Sequence, residues 1–247
     1  MFENEISFIC REEYLETNPP KPEPIKLNIP NWFKELEHSV PSKTVKGCMP
    51  FLDSLTTGYL LRLPVDLYLE HNTHHDNERK SILVSGMNPV NELIHTININ
   101  LKGVDEMHPT NQLGKKCPIV HKNKDLPIQK ILNPWTIKTP KNFSCLFLPP
   151  MNNTDDRFSI IPAIVDTDNF NSEINFPFVI NGDKYPILET TIKAGTPYVQ
   201  IVPFERKSWK MKINTETKDK NHKRRFEQEK HVLHNYKQRW WSKKSWK

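Results

Sequence analysis

Tyr59-Leu60-Leu61-Arg62-Leu63-Pro64-Val65-Asp66-Leu67-Tyr68-Leu69 is the stretch whose reading decides the fold. Val65, Leu67 and Leu69 alternate with Asp66 and Tyr68, the period of a strand that buries one face. Pro64 has no amide to donate to a ladder, so the strand breaks there and then continues. The residues just before it, Met49 to Leu55, read as a short helix.

Working outward, further strands are expected at 6–10, 81–84, 93–101, 135–139, 144–148, 158–165, 174–180, 187–192 and 197–203. Turn residues separate them, as in Asn181-Gly182-Asp183. Many short strands with little helical periodicity indicate a mainly β chain with an antiparallel β-sandwich or jelly-roll-like body. Residues 102–133 read as a long polar connection. At the N-terminal side, Asn18-Pro19-Pro20-Lys21-Pro22-Glu23-Pro24 must be extended, because each proline pushes its predecessor out of the helical region. We read this segment as a rigid arm rather than a PxxP ligand. Pro30 to Leu36 follows as one or two helical turns. The expected organisation is an N-terminal strand, proline-rich arm and short helix over 1–47, a β-sandwich body over 48–213, and a C-terminal α-helix over 214–247.

The chain has 247 residues, with 21 prolines and only 7 glycines. Proline at that level excludes long helices through most of the body. So few glycines argue against a glycine-built phosphate cradle, and no P-loop, G-x-G-x-x-G, G-x-S-x-G or H-E-x-x-H pattern is present. Cys10, Cys48, Cys117 and Cys145 form no C-x-x-C pair, which removes support for a thiolate zinc site. The first residues lack the basic and apolar regions of a signal peptide, and no apolar run is long enough for a transmembrane segment. The expected location is the cytoplasm, with four reduced cysteines.

Charge is distributed unevenly. From Glu216 to Lys247 there are eleven Lys and Arg against four acids, a net +7; the other residues hold 24 bases and 25 acids, a net −1. From Lys223 onward there is no Gly or Pro. Phe226, Leu233 and Trp240 recur every seven residues with Tyr236 on the same stripe, flanked by Arg225 and Arg239 on one side and by Lys230, Lys237 and Lys244 on the other. This is the pattern of an amphipathic helix with an apolar seam between basic edges. Three uses compete: the seam docks on the chain's own body or on a second copy, the segment binds nucleic acid, or it lies on an anionic membrane. For nucleic acid, Lys223, Arg224, Arg225, Lys230, Lys237, Arg239, Lys243 and Lys244 would neutralise phosphates, and Trp240, Trp241 and Trp246 would stack on unpaired bases.

The body offers weaker chemistry. His74-x-Asp76 matches two ligands of a two-histidine, one-carboxylate iron site, with His95, His108 or His121 as a third and His108 taken as the one to test. On a jelly roll that set would make an iron- and oxoacid-dependent oxygenase, the one reading that calls for a cofactor. The same stretch also reads as a polar turn. Asp166 and Asp168 read as carboxylates closing a strand into a turn, and Gln200 as a side chain satisfying a neighbouring backbone group. No catalytic set is assigned.

Three segments carry a resemblance: Cys48-Met49-Pro50-Phe51-Leu52-Asp53 with Thr57-Gly58-Tyr59; Asn133-Pro134-Trp135-Thr136-Ile137-Lys138-Thr139-Pro140; and Ala194-Gly195-Thr196-Pro197-Tyr198-Val199-Gln200-Ile201-Val202-Pro203. Over about residues 20–210 the chain resembles a domain-of-unknown-function family found in tailed phages of marine bacteria and in some bacteria. The resemblance implies a phage or bacterial setting, a mostly β body and the cytoplasm of an infected host. It brings no catalytic residues. The combined expectation is a phage-type accessory protein that acts by binding protein or nucleic acid, with a metal-dependent jelly-roll enzyme and a virion structural subunit as the alternatives. A homo-oligomer fits the first and last of these.

Overall fold

The computed structural model describes residues 4–72, 82–87, 104–108, 113–114, 116–119, 128–152, 155–229 and 235–247. The chain divides into two compact units, Met1–Glu23 with Tyr59–Glu205, and Pro24–Gly58 with Arg206–Lys247.

The larger unit is mainly β. In chain order its elements are β1 (Ser7–Cys10), α1 (Glu12–Leu15), β2 (Glu23–Pro24), β3 (Tyr59–Arg62), β4 (Asp66–Asn72), β5 (Ile82–Met87), β6 (Val104–His108) and β7 (Ile128–Ile131). They continue with β8 (Trp135–Lys138), β9 (Phe143–Leu148), β10 (Phe158–Ile160), β11 (Ala163–Val165), β12 (Phe176–Ile180), β13 (Ile187–Ile192) and β14 (Pro197–Glu205). They form sheets ordered β11-β9-β14-β3-β2, β10-β12-β7-β6, β13-β4-β5 and β1-β8. The ladders are antiparallel. Side chains from all four sheets meet in one apolar core, a β-sandwich arrangement.

From Leu61 to Leu69 the alternation holds residue by residue, while Leu60, next to Leu61, is buried as well. Leu61, Leu63, Val65, Leu67 and Leu69 are all buried, with partly exposed residues between them. Leu61 lies across from Val199, while Leu67 lies between Ile192 on one side and Gly86 on the other. The break at Pro64 is stitched by Leu63, whose amide donates to the Thr196 carbonyl and whose carbonyl accepts from the Gly195 amide, each at 2.9 Å. Gly195 makes this turn at φ 82°, a left-handed conformation in which glycine is favoured. Phe176 sits between Phe147 and Tyr198, with ring centroids 5.4 and 5.7 Å away.

Three expectations are corrected. The strand expected over 158–165 is two strands, β10 and β11, in different sheets. Pro162 separates them and supplies no ladder donor. The polar connection expected over 102–133 contains β6 and β7, which pair with each other. The compact β unit is Tyr59–Glu205 together with Met1–Glu23, where 48–213 alone was expected. The strand expected over 93–101 lies outside the described residues.

The smaller unit is helical. It contains 3-10 turns at Ile25–Asn28 and Val45–Gly47, α2 (Asn31–Glu35), α3 (Met49–Ser54), α4 (Lys218–Glu229) and α5 (Asn235–Arg239). Among its described residues, Ile25, Phe33, Met49 and Leu55 are the buried apolar ones. Phe33 stacks on Phe51 at 5.8 Å, and Trp32 meets both rings edge-on. The Thr44 amide donates to His38 Nδ1 at 3.1 Å, which holds the imidazole against Gly47. A methyl group at Gly47 would come within 2.2 Å of His38 Nε2, so this position must stay glycine unless the ring moves.

Candidate anion-binding surface

The basic segment belongs to the helical unit. In α4, Lys218, Lys220, Lys223, Arg224 and Arg225 are all exposed. Lys220, Lys223 and Arg224 stand at i, i+3 and i+4 and therefore share one side of the helix. Arg224 reaches back to an ion pair with Glu216. The helix is polar nearly all round, so no apolar stripe of its own turns these charges toward a core.

The end of the chain is fixed differently. The amides of Trp240 and Trp241 both donate to the Tyr236 carbonyl, at 3.0 and 2.9 Å, which closes α5. Trp241 then turns its indole N–H toward Asp53 of α3, 3.1 Å from each carboxylate oxygen. Lys244 Nζ lies 2.5 Å from Asp53 Oδ2 and 5.6 Å from the centroid of the Trp241 ring. One carboxylate thus receives an indole and an ammonium.

This geometry corrects the sequence reading of the tail. The single helix expected over 214–247 is not formed: the segment before Lys218 and the residues after Trp240 are not helical. Phe226, Tyr236 and Trp240 of the expected seam are each about half exposed, and Tyr236 and Trp240 pack mainly on each other, with centroids 6.2 Å apart. Trp241, placed outside the seam by sequence, is the residue that docks. Lys237 is exposed, and it also lines a groove of about 650 Å³ with Phe33, Leu36, Met49, Leu52 and Glu35. Arg239 and Lys243 are exposed, Trp246 is partly buried, and Lys230 and Leu233 lie outside the described residues.

The candidates of the β unit separate in the same way. His74 and Asp76 lie outside the described residues, and His108 closes β6 in register with Ile128. Among the described residues no group of three or more His, Cys, Asp or Glu is placed to hold a metal ion. β11 ends before Asp166, which accepts from the Ser144 hydroxyl at 2.6 Å, while Asp168 accepts from the Asn142 amide at 2.9 Å. Both close a turn. Gln200 is fully buried, and its Oε1 accepts from the Met151 amide at 2.9 Å, the structural role read from the sequence. The four cysteines are free thiols. Burial pushes the Cys145 thiol up to about 11 against the pull of the Thr167 hydroxyl, which makes it a poor nucleophile.

A cleft of about 180 Å³ opens beside Asp155, Asp156, Phe158, Ser159 and Asn181. Arg157 holds Asp155 in a two-point fork, at 3.0 and 2.8 Å, and also donates to Thr190 Oγ1 at 2.9 Å. That fork lowers the Asp155 pKa although burial opposes it. Asp156 pairs with Lys184 and accepts from the Tyr185 hydroxyl at 2.6 Å. Both carboxylates are engaged by the protein itself.

No protein-family model, curated protein or solved structure matches the chain. Among the described residues, no helix is long and apolar enough to cross a membrane.

Proposed function

We propose that this protein acts by binding, and that α4 presents its bases to a polyanion, nucleic acid being the polymer with the matching charge density. The observation that carries this reading is the exposed cluster of Lys220, Lys223 and Arg224 on one side of α4. Lys220 repels Lys223 and Arg224 by a few tenths of a kcal/mol per pair (~0.2–0.5), which the Glu216 carboxylate offsets in part at Arg224. A phosphate backbone relieves that repulsion and releases its own counterions. Docking of Trp241 and Lys244 on Asp53 ties the far end of the segment to α3. The phage or bacterial cytoplasm implied by the resemblance is rich in such polymers.

The test is salt-dependent binding of a single-stranded oligonucleotide to the full chain. The variant Lys220→Glu/Lys223→Glu/Arg224→Glu, exposed throughout, keeps its fold and binds more weakly. The slope of log K against log salt falls by about 2, since each lost phosphate contact on a single strand removes about 0.7. Unchanged affinity and slope would contradict the assignment of the site to α4.

A further inference from the structure

Between β14 and α4 lies the segment Arg206-Lys207-Ser208-Trp209-Lys210-Met211-Lys212-Ile213, which forms no helix or sheet. Its apolar residues alternate with lysines, the pattern of a strand with one apolar and one basic face. Trp209 is 90% exposed, and Met211 and Ile213 are each 83% exposed, so the chain leaves this apolar face uncovered.

A matching acceptor exists in the β unit. Among the described strands β13 is an edge of its sheet, with β4 as its neighbour. Its alternation is clean. Leu188, Thr190 and Ile192 face inward, Ile192 being fully buried and Leu188 packed on the core, while Ile187, Glu189 and Thr191 face out. On the outer face Glu189 lies directly across from Glu70 of β4. Like charges opposite each other in a sheet are destabilising. Here one phenol bridges them, the Tyr68 hydroxyl lying 3.0 Å from Glu70 and 3.1 Å from Glu189. Burial, followed by these two carboxylates, pushes the Tyr68 pKa up to about 12. Among the described residues no cation pairs with Glu70 or Glu189, and the segment beyond β14 carries Lys210 and Lys212.

We propose that residues 208–213 of one copy add as a strand to the β13 edge of a second copy, reciprocally, to form a closed dimer. The parity of the pairing follows from side-chain chemistry. With Trp209, Met211 and Ile213 on the side of Leu188, Thr190 and Ile192, the apolar layer is extended, and Lys210 and Lys212 fall on the side of Glu189, with Glu70 one strand further. The opposite parity would bury lysines next to Ile192, which is excluded by the cost of desolvating an unpaired charge. The lengths match, six residues in β13 and six from Ser208 to Ile213. A reciprocal exchange satisfies both edges at once and closes the assembly, whereas a one-way exchange would propagate into a fibre.

Sedimentation of the full chain over a range of concentrations tests this. The expected result is a species of twice 29.1 kDa that dissociates on dilution. Trp209→Ser/Met211→Ser/Ile213→Ser is expected to be a folded monomer. Lys210→Glu/Lys212→Glu and Glu189→Lys are each expected to weaken the dimer about tenfold, the scale of several cross-strand charge pairs lost together. Mixing those two charge variants restores a heterodimer, because each arm then meets an edge of opposite sign. A wild-type monomer at every concentration overturns the proposal, and so does a dimer insensitive to all three variants. So does a monomer in which only an oligonucleotide or anionic vesicles shift the emission of Trp209, read against Trp209→Phe, since the apolar face would then serve another partner.

Discussion

Leu61 to Leu69 and Trp209 to Ile213 use the same alternation and meet opposite fates. In the first, five alternating apolar side chains are buried to within 2% of their surface; in the second, three are the most exposed large apolar side chains described. The difference lies in ladder partners rather than in the local pattern. β3 and β4 are flanked by β14, β13 and β5, so burying one face also pairs the backbone. Among the described residues, 208–213 have no partner strand. Alternation therefore specifies which face a strand will bury, while the fold decides whether there is anything to bury it against.

Substitutions should separate the two regions clearly. Leu67→Ala removes a fully buried side chain between two ladders, and a loss of about 3 kcal/mol is expected in urea unfolding, as for other large-to-small core changes. Met211→Ala in dilute protein should stay within about 0.5 kcal/mol of wild type, because the side chain is 83% exposed. Equal losses would collapse the distinction.

A smaller effect belongs to the polar supports of the sandwich. Arg157→Ala breaks the fork on Asp155 and the bond to Thr190, and about 1–3 kcal/mol is expected. The same group gives a pH signature. Hydrogen bonding from Arg157 holds the Asp155 pKa down, and hydrogen bonding from Lys193, then the Ala194 amide, does so for Asp66. A carboxyl with a lower pKa in the folded state stabilises the fold above its unfolded value, about 3.9, and loses that contribution as pH falls through the folded value. Acid unfolding should therefore begin below about pH 4, and Asp155→Asn should flatten the pH dependence there. A steep loss near neutrality would point to other groups.

The smallest effect concerns the tail. Asp53→Ala removes the acceptor of both Trp241 and Lys244, and about 1 kcal/mol is expected, since the lysine pair is partly solvated. Limited trypsin digestion reads this better than unfolding does: cleavage at Lys243 and Lys244 should speed up, while cleavage after the paired Arg62 in β3 should not.

Much of the β unit was legible because its strands carry period-2 patterns closed by turn residues. β13 was expected at its observed bounds, and Gly195 and Asn181-Gly182 were read as turns. What failed was non-local. That Pro162 sends β10 and β11 to different sheets depends on which strands arrive beside them, and no local pattern carries that information. The grouping of 24–58 with the tail was hidden for the same reason: the contact from Trp241 to Asp53 spans 188 residues. In the tail, seven-residue spacing suggested one helix to the end, but the last helical turns stop after Arg239, where the Tyr236 carbonyl takes the Trp240 and Trp241 amides, and the docking residue is the neighbour of the one on the stripe. The exposed strand pattern at Trp209, Met211 and Ile213 was readable, yet it was absorbed into the expected end of the body.

Amide hydrogen exchange on the intact chain, compared between dilute and concentrated protein, tests the central contrast most directly. Peptides covering 59–69 should be protected at both concentrations. Peptides covering 206–213 should exchange at once when dilute and become protected when concentrated. Protection of 206–213 in the dilute monomer, or its absence at every concentration, would contradict the account.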